Sequence, residues 1–160
     1  MTVSTRPIDA ATLPDALALN NAHAIELSLQ TSESFARLVE RAFFARWTAH
    51  CEALLIAFDE AAPYENENFL WFRARHSRFV YVDRVVVRPE HRGRGLARAL
   101  YAELFARARA AGKVRVVCEV NSEPPNPASD AFHAALGFRE VGSAKLQNAD
   151  KRVTYLELAL

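Results

Sequence analysis

The apolar run Phe79–Val87, Phe-Val-Tyr-Val-Asp-Arg-Val-Val-Val, predicts a long central strand. Ala53–Phe58 is nearly all apolar and predicts a strand buried on both faces. Phe44–Ala49 predicts its neighbour, across a tight connection at His50-Cys51-Glu52. Leu96, Leu100 and Leu104 recur at i+4, with Tyr101, Phe105 and Ala108 widening the stripe, so a helix is expected from Leu96 to Ala111 with Gly112 closing it. Val114–Val120 reads as the next strand and Asn121–Pro127 as a Pro-rich loop. Asn126 then serves as N-cap and Pro127 as first residue of a helix that ends at Leu136-Gly137-Phe138. Two final strands, about Glu140–Leu146 and Arg152–Leu158, flank a turn at Gln147–Lys151. Towards the N-terminus, Val3–Ile8 reads as a short strand. Asp9 opens a helical pattern through Ala16, Leu17 and Leu19, which Asn20-Asn21-Ala22-His23 interrupts before Ile25-Glu26-Leu27. Ser32 or Ser34 is the expected cap of a second helix through Phe35, Leu38, Val39 and Ala42. Asp59–Asn68 is a polar loop, and Asn68–Arg75 a short helix. The order β α α β β (α) β α β α β β implies an α/β protein, a mixed sheet with helices on its faces.

Two charges interrupt the central strand. Strict alternation places Asp83 with Tyr81 and Val85 on one face, and Arg84 with Val82 and Val86 on the other. A charge inside a buried strand costs free energy unless it is paired or wet. On the helix that follows, Glu103 and Arg107 have the spacing of a surface i,i+4 pair. At 160 residues, with 51% hydrophobic and 24% charged residues, a single domain spanning 1–160 is expected. Lys+Arg is 20 and Asp+Glu is 19, a balance that argues against general nucleic-acid or membrane-surface binding. Two cysteines, Cys51 and Cys118, make neither a disulfide scaffold nor a zinc site; both read as small buried residues, and no metal is expected. No apolar signal region or run of 18 apolar residues is found, so a cytoplasmic protein is expected.

The basic residues concentrate where chemistry is expected: five arginines fall between Arg84 and Arg98. In Val85-Val86-Val87-Arg88-Pro89-Glu90-His91-Arg92-Gly93-Arg94-Gly95-Leu96-Ala97 a strand ends at a proline, an Arg/Gly loop follows, and a helix begins. The first N–H groups of a helix lack intrahelical partners. No Ser, Thr, Asp or Asn stands at this entry to cap them, while Gly93 and Gly95 keep side chains away. With the helix dipole and Arg88, Arg92, Arg94 and Arg98 around it, the loop is suited to an anion, above all a phosphate. It lacks the G-K-[ST] ending of a P-loop and the acidic residue that follows a dinucleotide fingerprint.

Val87-x-Pro89-x-x-Arg92-Gly93-x-Gly95-x-Ala97 resembles the acetyl-CoA loop of the GNAT superfamily of N-acetyltransferases, with Arg92, Gly95 and Ala97 on its [Q/R]-x-x-G-x-[G/A] core. Asn126–Phe138 resembles the family's later helix, from an Asn through an apolar face to L-G-F. The resemblance implies a GNAT-like acyl-CoA N-acyltransferase fold with a central, mostly antiparallel sheet. It also implies acetyl-CoA (coenzyme A) as donor and a small-molecule or peptide amine as acceptor, with a homodimer possible by analogy. Arg92, Gly93, Arg94, Gly95, Leu96 and Ala97 would hold the pyrophosphate through backbone N–H groups, Arg98 is a further cofactor-binding candidate, and one of the nearby arginines would meet the 3′-phosphate. Val85, Val86 and Val87 would lie along the pantetheine, with Asn126 in contact. In this family the central strand splays from its neighbour, and Val86 is the expected N–H donor to the thioester oxygen. Asp83 is the first candidate for general base and Glu119 the second. His133 stands seven residues after Asn126, where the family often has Tyr, and is the candidate acid for the leaving thiolate. Asn20, Asn21, His23 and Glu26 are candidate acceptor contacts, as are Tyr64, Trp71 and Phe72, with core packing the expected fate of at least two of these aromatics. The main reading is an N-acetyltransferase using direct attack in a ternary complex. Its alternatives are a non-catalytic acyl-CoA sensor of the same fold and an RNA-binding basic loop, the latter at odds with a net charge of +1.

Overall fold

The computed structural model describes residues 2–23, 28–147 and 149–160. Among these, strands β1 (Thr5–Pro7), β2 (Phe44–Thr48), β3 (Ala53–Asp59), β4 (Phe79–Val87), β5 (Arg115–Glu123), β6 (Arg139–Lys145) and β7 (Arg152–Ala159) form one sheet in the order β1-β2-β3-β4-β5-β7-β6. β4 and β5 are parallel; the other neighbours are antiparallel. The helices are α1 (Leu13–Asn21), α2 (Ser32–Arg41), α3 (Glu67–Arg73), α4 (Leu96–Ala110) and α5 (Pro127–Leu136).

The sheet is covered on both faces, as its apolar pattern requires. On one face Leu19 of α1, Phe35 of α2 and Phe69 and Phe72 of α3 pack on Leu54, Ile56, Phe58, Tyr81, Val117 and Tyr155. On the other, Leu100, Tyr101, Leu104 and Ala108 of α4 pack on Leu55, Ala57, Val80, Val82, Val116 and Cys118. β3 serves both cores alternately, which is why its sequence is apolar at every step.

Several boundaries differ from the sequence expectation for local reasons. α1 starts at Leu13 because Asp9 and Thr12 exchange hydrogen bonds in a turn before it. Thr31, not Ser32 or Ser34, caps α2, and Ser34 returns a bond to the Thr31 N–H in a capping box. Glu103 does not pair with Arg107. It bonds Arg46 at 2.7 Å and Thr5 at 2.5 Å, whereas the Arg107 guanidinium lies over the Phe44 ring. Ile25, Glu26 and Leu27 lie outside the described residues.

The largest departure is in β4. Ile56 pairs with Arg84 and Ala57 with Val82, so Asp83 is the extra residue of a β-bulge. The bulge reverses parity: Tyr81 and Val86 face the α1–α3 side, and Val82 and Val85 the α4 side. Arg84, opposite Ile56, therefore shares a face with Tyr81 and Val86 rather than with Val82. Asp83 turns to that same side, where it meets Tyr64. The simple alternation expected from the sequence fails at this one inserted residue.

Candidate active site

The Arg/Gly loop forms as the sequence implies. A single 3₁₀ turn, Pro89–His91, leads into Arg92, and Gly95 is the N-cap of α4. Gly93 and Gly95 both have φ +77°, a left-handed conformation that glycine adopts without strain, and a Cβ at either would meet open space. The first backbone bond into the helix is from the Ala99 N–H to the Gly95 carbonyl, and among the described residues no side chain caps the turn. The N–H groups ahead of Ala99 thus open onto a groove of about 460 Å³.

That groove brings together Val85, Val86, Val87, Arg92, Gly93, Gly95, Leu96, Ala97, Arg98 and Asn126, together with His23 and His133. Arg94 is not among its lining residues; its guanidinium contacts His91 across the turn. Arg88 is also turned away and donates to the Cys51 carbonyl at 2.9 Å. Asn126 caps α5 by accepting from Ser129 N–H.

β4 and β5 pair through just three positions, Phe79–Tyr81 with Arg115–Val117, although the strands run on to Val87 and Glu123. Beyond Tyr81 they part, leaving a cavity of about 140 Å³ that shares Val85, Asn126, Ser129 and His133 with the groove. Both sheet faces reach this gap. Asp83, Arg84 and Glu119 line it from the α1–α3 side, and Tyr101, Cys118 and His133 from the α4–α5 side. Backbone parity along β4 corrects the expected donor. Arg88 N–H bonds the Glu52 carbonyl towards β3, so Val86, two residues earlier and opposite Leu54, also turns its N–H towards β3. Val85 and Val87 turn theirs to the open edge.

The two carboxylates have different surroundings. The Asp83 side chain is 3% exposed; Oδ1 accepts from the Tyr64 hydroxyl at 2.5 Å and Oδ2 from Arg84 Nε at 2.6 Å. Arg84, 4% exposed, is further held by the Asn20 Oδ1 at 2.8 Å. Both Asp83 oxygens are thus committed to an internal pair. Glu119 Oε1 accepts from Tyr81 at 2.9 Å and Asn68 at 3.1 Å, while Oε2 is buried with no partner among the described residues. Burial pushes the Glu119 carboxyl up to about 8, aided by the Asp83 charge and opposed by these donors.

His133 is buried between two helices. Its Nδ1 lies 2.8 Å from the Ser129 carbonyl, which can accept but not donate, so Nδ1 carries the proton. Nε2 then accepts from the Tyr101 hydroxyl at 2.8 Å. Burial holds the His133 pKa below its ordinary value and pushes Tyr101 well above its own, so the imidazole is neutral and the phenol protonated near pH 7.

The remaining expected contacts sort by packing. Asn20 holds Arg84, Asn21 bonds Gln30, and His23 lines the groove; Glu26 lies outside the described residues. Phe72 is fully buried, Trp71 stacks on Tyr155, and Tyr64 stacks on Phe58 while its hydroxyl reaches Asp83. Sequence reasoning missed Tyr101, Tyr81 and Asn68 as polar members of the site. Asn68 carried a signal, because it sits beside Phe69 on the buried side of α3.

Residues 24–138 match the model of the acetyltransferase (GNAT) family, and the chain belongs to that family. No curated protein sequence matches it. Solved structures similar in fold include the ribosomal-protein-alanine N-acetyltransferase of Brucella melitensis, at 22% identity and TM-score 0.72, covering 98% of this chain and 99% of that one. The ribosomal-protein-S18-alanine N-acetyltransferase of Escherichia coli is similar at 19% identity and TM-score 0.69, covering 98% and 92%. A phosphinothricin acetyltransferase of Sinorhizobium meliloti, solved in complex with acetyl-CoA, is similar at 19% identity and TM-score 0.73, covering 100% and 89%.

Proposed function

We propose that the protein transfers the acetyl group of acetyl-CoA to a primary amine by direct attack in a ternary complex. The observation that carries this reading is the gap between β4 and β5. It joins the groove at the start of α4 to a carboxylate on one sheet face and a phenol–imidazole pair on the other.

Each feature has a chemical task. The uncapped N–H groups at Gly93–Ala97 and the Arg92 and Arg98 side chains take the phosphates of acetyl-CoA. Val85 and Val87 N–H groups face the edge where the thioester oxygen gathers charge. An alkyl ammonium, with a pKa of about 10, must lose a proton before it attacks. Glu119 accepts it at Oε2, directly or through one water. The amine nitrogen then bonds to the carbonyl carbon, the carbon–sulfur bond breaks with its electron pair on sulfur, and the second proton of the nitrogen passes to that thiolate, giving the amide and the free thiol. Asp83 is the weaker base because Arg84 and Tyr64 already occupy both oxygens. It fixes Arg84 instead.

His133 has no proton free to give, since Nδ1–H is bound to Ser129. Tyr101 meets the departing sulfur instead: its hydroxyl turns from His133 to the thiolate and supplies a hydrogen bond while keeping its proton. The test is release of free thiol from acetyl-CoA with a panel of primary amines. Amine-dependent release that is lost in Glu119→Gln supports the reading, and release by no amine contradicts it.

A further inference from the structure

We propose that Asn68 is a positioning residue for Glu119: its side-chain amide, held in one orientation by Tyr155, occupies Oε1 and leaves Oε2 as the oxygen with no partner among the described residues. The inference rests on the reading of Glu119 as the base.

The geometry is a relay through three elements. Tyr155 of β7 lies opposite Glu119 of β5 in the sheet register, and its hydroxyl donates to Asn68 Oδ1 at 2.9 Å. This directs the Asn68 amide nitrogen at Oε1, 3.1 Å away, beside the Tyr81 hydroxyl at 2.9 Å. Asn68 is 6% exposed, and the Asn66 side chain that caps α3 accepts from its backbone N–H. The Tyr155 ring is fixed in turn by Trp71, stacked 4.1 Å away, and by the edge of Phe72. A buried amide with both ends engaged cannot rotate to serve Oε2.

Two donors on one oxygen stabilise the charged carboxylate against burial. The titratable groups around Glu119 are Tyr81 and Asp83 on β4, Tyr155 on β7, Tyr101 on α4, Tyr64 before α3, and its neighbour Cys118. Arg84 is engaged with Asp83. Loss of the Asn68 donor leaves burial and the Asp83 charge less opposed, so the Glu119 pKa rises.

The experiment is a ¹³C NMR titration of glutamate side-chain carboxyls from pH 5 to 10 in the full chain, with Glu119 assigned by its absence in Glu119→Gln. Asn68→Leu is expected to raise the Glu119 midpoint by about one pH unit, the scale of one lost hydrogen bond to a charged group. Tyr155→Phe, which keeps the ring stack and frees the amide, is expected to raise it by less. A midpoint unmoved in Asn68→Leu overturns the proposal and leaves Asn68 as packing. If Asn68→Leu does not fold, an unmoved midpoint in Tyr155→Phe overturns it. Failure of the base reading shows separately, as unchanged acetyl transfer to primary amines by Glu119→Gln.

Discussion

The Tyr101 hydroxyl donates to Nε2 of His133 across 2.8 Å, joining α4 to α5 at the floor of the gap between β4 and β5. Because burial keeps the imidazole neutral, His133 holds the phenol in place and Tyr101 presents the proton-bearing atom. Tyr101→Phe is expected to lower kcat about 10- to 100-fold, the worth of a hydrogen bond to a charged group, with acetyl-CoA affinity nearly unchanged. Steady-state kinetics beside calorimetric titration check this; an unaltered kcat removes Tyr101 from the reaction.

Activity should follow the ionisation of Glu119. With its carboxyl raised to about 8, kcat/KM is expected to climb with pH to a plateau above that value, and Glu119→Gln to abolish the climb. Stability runs the other way. The folded value exceeds the ordinary 4.5, so the folded state binds the extra proton between about 4.5 and 8, and stability is lost as pH rises through that window. Glu119→Gln should therefore melt higher than wild type at pH 8, by roughly 2–4 °C for each kcal/mol relieved, and lose this advantage towards pH 5. Melting curves at both pH values decide it. Equal differences at the two contradict the assignment.

Asp83 and Arg84 are expected to matter for folding before catalysis. Asp83→Asn leaves the Arg84 guanidinium buried beside a neutral partner, and a loss of about 3–5 kcal/mol follows from breaking such a pair on one side. A double-mutant cycle with Arg84→Gln should show coupling above about 1 kcal/mol. Additive effects there would mean that the pair does not act as a unit.

Gly142 on β6 supports the wall opposite. A Cβ at this position would come within 2.6 Å of the Trp71 ring, which stacks on Tyr155. Gly142→Val is expected to displace Trp71 and destabilise the fold by about 1–3 kcal/mol, with a change in tryptophan fluorescence. A variant with wild-type melting and emission would show that Trp71 does not need the glycine.

The strand–loop–helix unit and the Asn126 cap were legible in sequence because each depends on local chemistry: β-branched runs, glycines at a helix entry, and Asn before Pro. So was the pair of carboxylates. Which of them has both oxygens engaged was not. An inserted residue at Asp83 cannot be read from an apolar run, yet it reverses the faces of β4 and brings Asp83 and Arg84 to the same side. Likewise the Tyr101–His133 bond and the Asn68–Glu119 bond join residues 32 and 51 apart in the chain, and only the packed sheet brings them together. In sequence Tyr101 is one more member of an apolar helical stripe.

The most direct test of the account is calorimetric titration of the wild-type protein and Gly95→Trp with acetyl-CoA. Wild type is expected to bind at one site. Gly95→Trp, which fills the open approach to the start of α4 with a bulky side chain at a left-handed position, should lose that binding while remaining folded by circular dichroism. No binding by folded wild-type protein, or equal binding by both, would contradict the assignment of the Arg/Gly loop and the function built on it.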